Sequence, residues 1–472
     1  MLFNSLAFGL FLPLVLLGHF LLPSKARWIG MLVAGHVFYM AFVPWYVLLL
    51  WGAILLDWAL ALGIAASDAP RRRRLLLWTS VAGTCSLLLV FKYAGLFTRM
   101  AHPLAGALHI PLPVVELVLP IGLSFHTFQS LAYVIEVYHR RAPAERHLGR
   151  YALYVLFFPQ LVAGPIERPQ NLLPQLSHFP DFDPKAAIQG LRRMAWGFFL
   201  KVGVADRIAP VADAAFAQAP SVSSLAMALG VLAFCVQIYC DFLGYTEIAR
   251  GAARMLGIRL IPNFDRPWRS VSPSLYWRRW HMSLSSWFRD YVYIALGGNR
   301  KGRMAQAVFL LVTFGLSGLW HGAGAGFVLW GLLNGLWLVL EHLLLPRHRQ
   351  ATGRFGQFLS WAVTMALVVP TWILFRAPDL ATASQVAATL LRFTAEPVAT
   401  LLPALHLAPT EAALCLVGAV SVALVHHATQ GDPSRWLEGR SAPVRWGATW
   451  AVLFFLLFCG ALEGQRFVYF QF

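Results

Sequence analysis

Charge is scarce in this chain. Of its 472 residues only 12% are Asp, Glu, Lys or Arg, whereas a soluble domain usually carries about 25%. Hydrophobic residues make up 58% and the mean hydropathy is +0.62, an apolar surplus that no single water-facing globule can bury. Acidic side chains are scarcer still: 21 against 38 basic ones, for a net charge of +17. A balance of that sign can serve nucleic acid, but here the basic residues sit in short clusters between apolar runs. Anionic headgroups and the positive-inside bias account for that arrangement, so membrane lipid is an expected partner and nucleic acid is not. Cysteine is rare as well. Cys85, Cys235, Cys240, Cys415 and Cys459 form no C-x-x-C pair, which leaves no disulfide framework and no zinc site. Gly/Ser linkers, low-complexity blocks and internal repeats are missing too, so a single membrane domain over 1–472 is expected.

What the chain does have is long apolar runs. About 20 apolar residues cross a bilayer core as a helix. The candidates are 2–22, 28–44, 46–66, 75–97, 114–136, 224–243, 305–320, 325–345, 357–376, 411–427 and 445–462. Shorter runs at 151–163, 188–205 and 242–257 could be short or re-entrant pieces. The first run does not read as a cleaved signal peptide, because Met-Leu-Phe-Asn carries no Lys or Arg and further spans follow directly. Lys25 and Arg27 follow the first span, Arg71 to Arg74 the third, and Arg140, Arg141, Arg146 and Arg150 the fifth. Basic loops mark the cytoplasm, which puts the N-terminus outside.

Polar groups inside such runs need a reason. Between 118 and 130, Pro120 and Gly122 interrupt the run and Ser124, His126 and Gln129 add polar atoms. This suits either a cavity-lining helix or helix packing around one satisfied His. Between 158 and 169, three prolines and Gly164-Pro165 rule out a straight spanning helix, leaving a re-entrant loop or a surface loop. Gln237, Asp241 and Tyr245 recur at i, i+4 and i+8 on one helix face, with Tyr239 between them. That stripe fits a hydrated vestibule or a hydrogen-bond network with Arg250.

The richest stretch is 263–324. From Trp277 to Arg289 the order W-R-R-W-H-M-S-L-S-S-W-F-R places Trp277, Trp280, His281, Leu284, Trp287 and Phe288 on one face of an amphipathic interfacial helix. Between Asp265 and Arg303 lie eight Arg or Lys and two Asp, a basic surface suited to a phosphate-bearing donor or to anionic lipid. Next comes Ser317-Gly318-Leu-Trp320-His321-Gly322, where small residues flank His321 and Ser317 stands at i−4. A buried neutral imidazole keeps a free lone pair at neutral pH. A hydroxyl attacking a thioester needs such a base, worth about 10²–10⁴-fold. A satisfied core histidine is the other reading. His281 and His321 lie far apart in sequence with no third ligand beside either, so a metal site is not expected.

In this order the segments resemble the membrane-bound O-acyltransferase superfamily, in its bacterial alginate O-acetylase-like branch. The resemblance is carried by Trp277-Arg278-Arg279-Trp280-His281 through Asp290 to Asn299-Arg-Lys301, by Gly318-Leu-Trp320-His321-Gly, by Pro120-Ile-Gly-Leu-Ser-Phe, by Phe158-Pro159 with Gly164-Pro165-Ile, and by the terminal Phe-Val-Tyr-Phe-Gln-Phe. It implies an all-α polytopic fold of about eleven spans plus re-entrant and interfacial helices around a central channel. It also implies His321 as the catalytic residue and His281 as a second active-site group. Trp277, Arg278, Arg279, Trp280, Asp290, Asn299, Lys301 and Trp320 become candidate substrate contacts, with Ser317, Asp241, Gln237 and Tyr239 as candidate channel lining. Thr246-Glu247 where the family commonly has Ser-Asp, Leu243 for Ser, and Ala295 for Pro leave the subfamily open.

The expected activity is transfer of acetyl from cytoplasmic acetyl-coenzyme A, a substrate rather than a resident cofactor, towards an extracytoplasmic polysaccharide such as alginate or cellulose. A periplasmic acetyltransferase partner would act onward, and a bacterial inner-membrane location follows. Three rivals remain. One is D-alanyl or other acyl transfer from a carrier-protein thioester to a cell-wall polymer. The others are a polysaccharide transporter or flippase, whose paired broken repeats are not evident, and a non-catalytic export scaffold.

Overall fold

In a lipid interior each backbone N–H and C=O has to be satisfied within the protein, which favours helices. The computed structural model describes all residues except 112, 114–116, 163, 345–352, 395–396, 462–466 and 468–472. Every regular element among the described residues is helical. Eight are long and apolar enough to cross a bilayer: Tyr46–Ala65, Pro70–Ala107, Ser224–Met255, Arg303–His321, Ala325–Leu344, Arg354–Arg376, Pro409–Ala428 and Ala442–Cys459. The other three expected spans fold as shorter helices, Leu6–Leu21, Arg27–Met40 and Leu123–Tyr138, of 16, 14 and 16 residues. At about 1.5 Å rise per residue these fall short of a 30 Å hydrocarbon core. The runs 224–243 and 242–257 are one continuous helix. Part of the run 114–136 and all of the terminal motif after Phe467 lie outside the described residues.

The chain divides into two compact units, Met1–Gly190 with Ala252–Ile261, and Leu191–Gly251 with Pro262–Phe472. In the first, several polar side chains tie elements together. Ser80 and Thr84 donate to the buried carboxylate of Asp57 at 2.6 and 3.0 Å, joining Tyr46–Ala65 to Pro70–Ala107. Arg73 donates to the carbonyls of Ile64 and Tyr138. Helix Leu123–Tyr138 starts at Gly122, whose φ is +78°, and a Cβ there would lie 2.4 Å from the Leu161 carbonyl oxygen. Only glycine tolerates both conditions.

The proline-rich stretch is not a surface loop. Phe158–Leu161 forms one short helix, and the described residues from Phe158 to Glu167 are buried. Irregular backbone of this kind is stable where protein atoms satisfy it. Glu167 Oε1 accepts from the Ile261 N–H at 2.7 Å, its Oε2 accepts from Asn171 at 2.6 Å, and its carbonyl accepts from the Tyr154 hydroxyl at 2.8 Å.

In the second unit Arg303–His321 and Ala325–Leu344 form a tight helical hairpin. A Cβ on Gly318 would lie 2.3 Å from the Phe327 carbonyl oxygen, and one on Gly331 would lie 2.2 Å from that of Phe314. Small residues let helix backbones meet this closely. The contact fixes the end of the first helix, where His321 stands.

Candidate active site

Helix Arg303–His321 stops at its histidine because Gly322 turns extended, at φ −166°. The His321 imidazole, 6% exposed, is set among aromatic rings. Its centroid lies 4.8 Å from Trp320, 5.0 Å from Trp330 and 5.2 Å from Phe375, all edge-on.

His281 arrives by a different route. The continuous amphipathic helix expected over Trp277–Arg289 is broken into Pro273–Arg279 and Met282–Phe288. Between them Trp280 is extended and His281 is left-handed, at φ +44°. Trp277 and Trp280 therefore do not continue the face that carries Leu284 and Trp287. A left-handed L-residue costs roughly 1–2 kcal/mol, so something must hold it. Asn263 does: its carbonyl accepts from Met282 N–H at 2.8 Å and its side-chain oxygen from Ser283 N–H at 3.3 Å. Its amide donates to Thr246 at 3.3 Å, anchoring the break to helix Ser224–Met255. The neighbouring Asp265 N–H donates to the Arg279 carbonyl at 3.0 Å.

The result is an imidazole 1% exposed, with its centroid 4.5 Å from the Phe242 ring. Burial pushes its pKa down to about 3, so at neutral pH it is uncharged, with one N–H and one lone pair. The Trp320 indole stands near both histidines, 6.3 Å from His281 and 4.8 Å from His321.

The other expected site residues divide into groups. Trp277 meets Trp330 and Phe314 edge-on at 5.4 and 5.5 Å, while Trp280 stacks on Tyr276 and touches Trp372 at 4.8 Å. These join the aromatic surroundings of the two imidazoles. Arg278, Asn299 and Lys301 are exposed. Lys301 lies over the Phe309 ring at 5.8 Å, Asp290 accepts from Arg289 at 2.7 Å, and Arg279 comes within 3.9 Å of Asp265. Ser317 is half-buried, one turn before His321.

Gln237, Tyr239 and Asp241 are buried on Ser224–Met255. Asp241 belongs to an ion cluster: Lys201 Nζ lies 2.8 Å from its Oδ1 and 2.7 Å from that of Asp206. Arg250 pairs with Glu247 at 2.5 Å. The Tyr239 hydroxyl lies 3.4 Å from His426 Nδ1. Asn263, Lys201 and His426 were missed in the sequence. Lys201 and His426 had readable signals, a lysine inside the apolar run 188–205 and a histidine inside the run 411–427; Asn263 had none.

Two comparisons bear on this constellation. The sequence profile of the membrane-bound O-acyltransferase family matches residues 141–375, a stretch holding both histidines. The chain is 38% identical over 384 residues to a protein of Pseudomonas aeruginosa named probable alginate O-acetylase AlgI, covering 80% of this chain and 73% of that one. It is 32% identical over 423 residues to a peptidoglycan O-acetyltransferase of Helicobacter pylori, covering 82% and 79%. A teichoic acid D-alanyltransferase of Streptococcus thermophilus is 29% identical over 244 residues, covering 48% and 58%.

Proposed function

The chain belongs to the membrane-bound O-acyltransferase family and is a multi-pass membrane acyltransferase; from that premise we propose that it moves acetyl from cytoplasmic acetyl-coenzyme A to hydroxyl groups of an extracytoplasmic polysaccharide. The observation that carries the reading is the pair of buried imidazoles, His281 and His321, gathered around the Trp320 ring. Two relatives with matches over most of the chain are named for O-acetylation, of alginate and of peptidoglycan, and both acceptors are glycan polymers.

In this reading His321 takes the proton from the attacking hydroxyl as its oxygen bonds to the thioester carbonyl carbon. The tetrahedral centre collapses, the C–S bond breaks, and the proton passes from the imidazolium to the departing thiolate. No net charge is left behind. His281, neutral at working pH, would hydrogen-bond to the reacting group or to the acceptor hydroxyl. Exposed Arg278 and Lys301, together with Arg279, would meet the donor's phosphates. An inner-membrane location with the N-terminus outside, supported by the basic loops at 25–27, 71–74 and 140–150, sets the donor on the cytoplasmic side. A periplasmic acetyltransferase would receive or complete the transfer.

The test is release of free thiol from acetyl-coenzyme A by the full-length protein. His321→Ala should lower turnover by about 10²-fold or more, and an unchanged rate removes the proposed base. A second reading, D-alanyl transfer from a carrier-protein thioester, draws on the similarity to the teichoic acid D-alanyltransferase. It predicts that loaded carrier protein is consumed and acetyl-coenzyme A is not. Family membership sets aside the transporter and scaffold alternatives.

A further inference from the structure

A cavity of about 430 Å³ opens in the first unit, away from both histidines in sequence and lined in part by Phe20, Gln175, Asp181, Asp183, Arg254 and Arg259. That volume is in the range of small-molecule sites. Its lining combines both signs of charge with aromatic and aliphatic carbon, and no part of the acyl-transfer reading uses it.

The walls are held in place from behind. Arg27 donates to the Pro180 carbonyl at 2.9 Å and pairs with Asp181 at 3.0 Å, fixing one rim. Gln175 Oε1 accepts from the Arg259 N–H at 2.8 Å while its amide donates to the Arg259 carbonyl at 3.1 Å, fixing the opposite strand of backbone. Gln189 Oε1 accepts from Arg254 Nε and Nη2 at 3.0 and 2.8 Å, orienting that guanidinium. Gly257, at φ +81°, packs directly on Pro180, since a Cβ there would lie 2.2 Å from Pro180 Cγ, and both residues line the pocket. A pocket organised before its ligand arrives loses little entropy on binding.

Two of the lining charges remain usable. The exposed Arg259 guanidinium has no partner among the described residues, and the only hydrogen bond to the Asp183 carboxylate there is from the Lys185 N–H to Oδ1. Phe182 meets the lining Phe20 ring edge-on at 5.1 Å and is exposed; so are Leu21, next to Phe20 in sequence, and Ile188, two residues after the lining Ala186. Phe20 lies in the last turn of the apolar helix Leu6–Leu21, a few residues before Lys25 and Arg27. A site with an anion-binding half, a cation-binding half and an adjoining apolar flank matches one component of a bilayer.

We propose that this pocket seats the headgroup of a zwitterionic phosphatidylethanolamine, its phosphate on Arg254 and Arg259, its primary ammonium on Asp183, and its acyl chains along Phe182, Leu21 and Ile188. The primary amine matters because it donates hydrogen bonds to a carboxylate, which a quaternary choline cannot do. An anionic glycerol headgroup offers Asp183 no cation. The proposal does not depend on the acyl-transfer reading.

The experiment uses the full-length protein, delipidated in detergent, and measures retention of phosphatidylethanolamine, phosphatidylcholine and phosphatidylglycerol of matched chains by native mass spectrometry. Phosphatidylethanolamine should be retained about fivefold or more above the other two, the scale of one or two charge-assisted contacts at a partly exposed site. Arg259→Ala should weaken all three lipids, and Asp183→Asn should erase the gap between ethanolamine and choline headgroups. Both side chains are exposed, so unfolding temperatures in lipid-free detergent should match the parent. Equal retention of the three lipids, a preference for phosphatidylglycerol, or insensitivity to both substitutions overturns the proposal. So does displacement of the lipid by inorganic phosphate or acetyl-coenzyme A, which would mark a site for soluble phosphates.

Discussion

Replacing Lys201 by Met should destabilise this protein by about 3–5 kcal/mol. The ammonium lies within hydrogen-bond reach of Asp206 and Asp241, at 2.7 and 2.8 Å, and all three side chains are at most 3% exposed. One cation between two carboxylates holds the negative charges in a site that water barely enters. Methionine fills nearly the same volume, so little cavity energy is lost and the effect isolates charge. Removing one partner of a buried ion pair costs about 3–5 kcal/mol, because the other charge stays desolvated. Here two carboxylates lose that ammonium, and protonation of one or both relieves part of the cost, which keeps the loss at about 3–5 kcal/mol. Thermal unfolding of purified protein in detergent, followed by tryptophan fluorescence, gives the assay. Lys201→Met should unfold well below the parent, and the triple variant with Asp206→Asn and Asp241→Asn should recover much of the difference. A Lys201→Met protein as stable as the parent would show that the two carboxylates do not depend on the ammonium, as would a triple variant no better than the single one.

Other consequences are more local. Asn263→Ala removes two side-chain hydrogen bonds worth about 1 kcal/mol each and releases the left-handed turn at His281. Turnover should fall more than the unfolding temperature, with Asn263→Asp restoring part of it through the acceptor to Ser283; equal losses in both readouts would leave Asn263 a packing residue only. Gly331→Ala puts a methyl 2.2 Å from the Phe314 carbonyl, so the hairpin bearing His321 must spread. Thiol release should drop with little change in donor KM, checked by steady-state kinetics. For His281 the folded pKa, about 3, lies below the unfolded value near 6.5. Its contribution to stability is complete above about pH 6.5 and is lost as pH falls towards 3, at about 1.4 kcal/mol per pH unit. The unfolding temperature of His281→Asn should therefore decline less between pH 6.5 and 4.5 than that of the parent; parallel curves would contradict the burial argument.

Much of the membrane body was legible in the sequence, because hydropathy is a local property. Runs such as 46–66 and 325–345 needed only their own residues to be recognised, and they fold as Tyr46–Ala65 and Ala325–Leu344. Where a run's fate depends on a partner, reading it alone goes astray. The run 114–136 looks like a span, yet the helix starts only at Leu123, because Gly122 crosses against the Leu161 carbonyl. Lys201 sits in what reads as an apolar run; one of its carboxylates, Asp206, is five residues away, but the other, Asp241, lies 40 residues on. Local reading does supply the i, i+4 stripe of Gln237 and Asp241. It cannot say which cation the stripe meets.

The same division runs through the candidate active site, and there it has a mechanical meaning. His321 ends the apolar helix Arg303–His321, and the small residues around it are its neighbours in sequence. His281 was placed on a continuous amphipathic helix because the residues from Trp277 to Arg289 have helical periodicity throughout. Periodicity reports which residues prefer burial, not where the backbone is interrupted. The interruption comes from Asn263, which captures the Met282 and Ser283 N–H groups and ties them to Thr246. A helix running through 280–283 would commit those donors to its own carbonyls and point His281 along the helix surface. Captured from outside, the turn becomes left-handed and the imidazole faces Phe242 instead. The orientation of the second histidine is thus set by a residue 18 positions earlier.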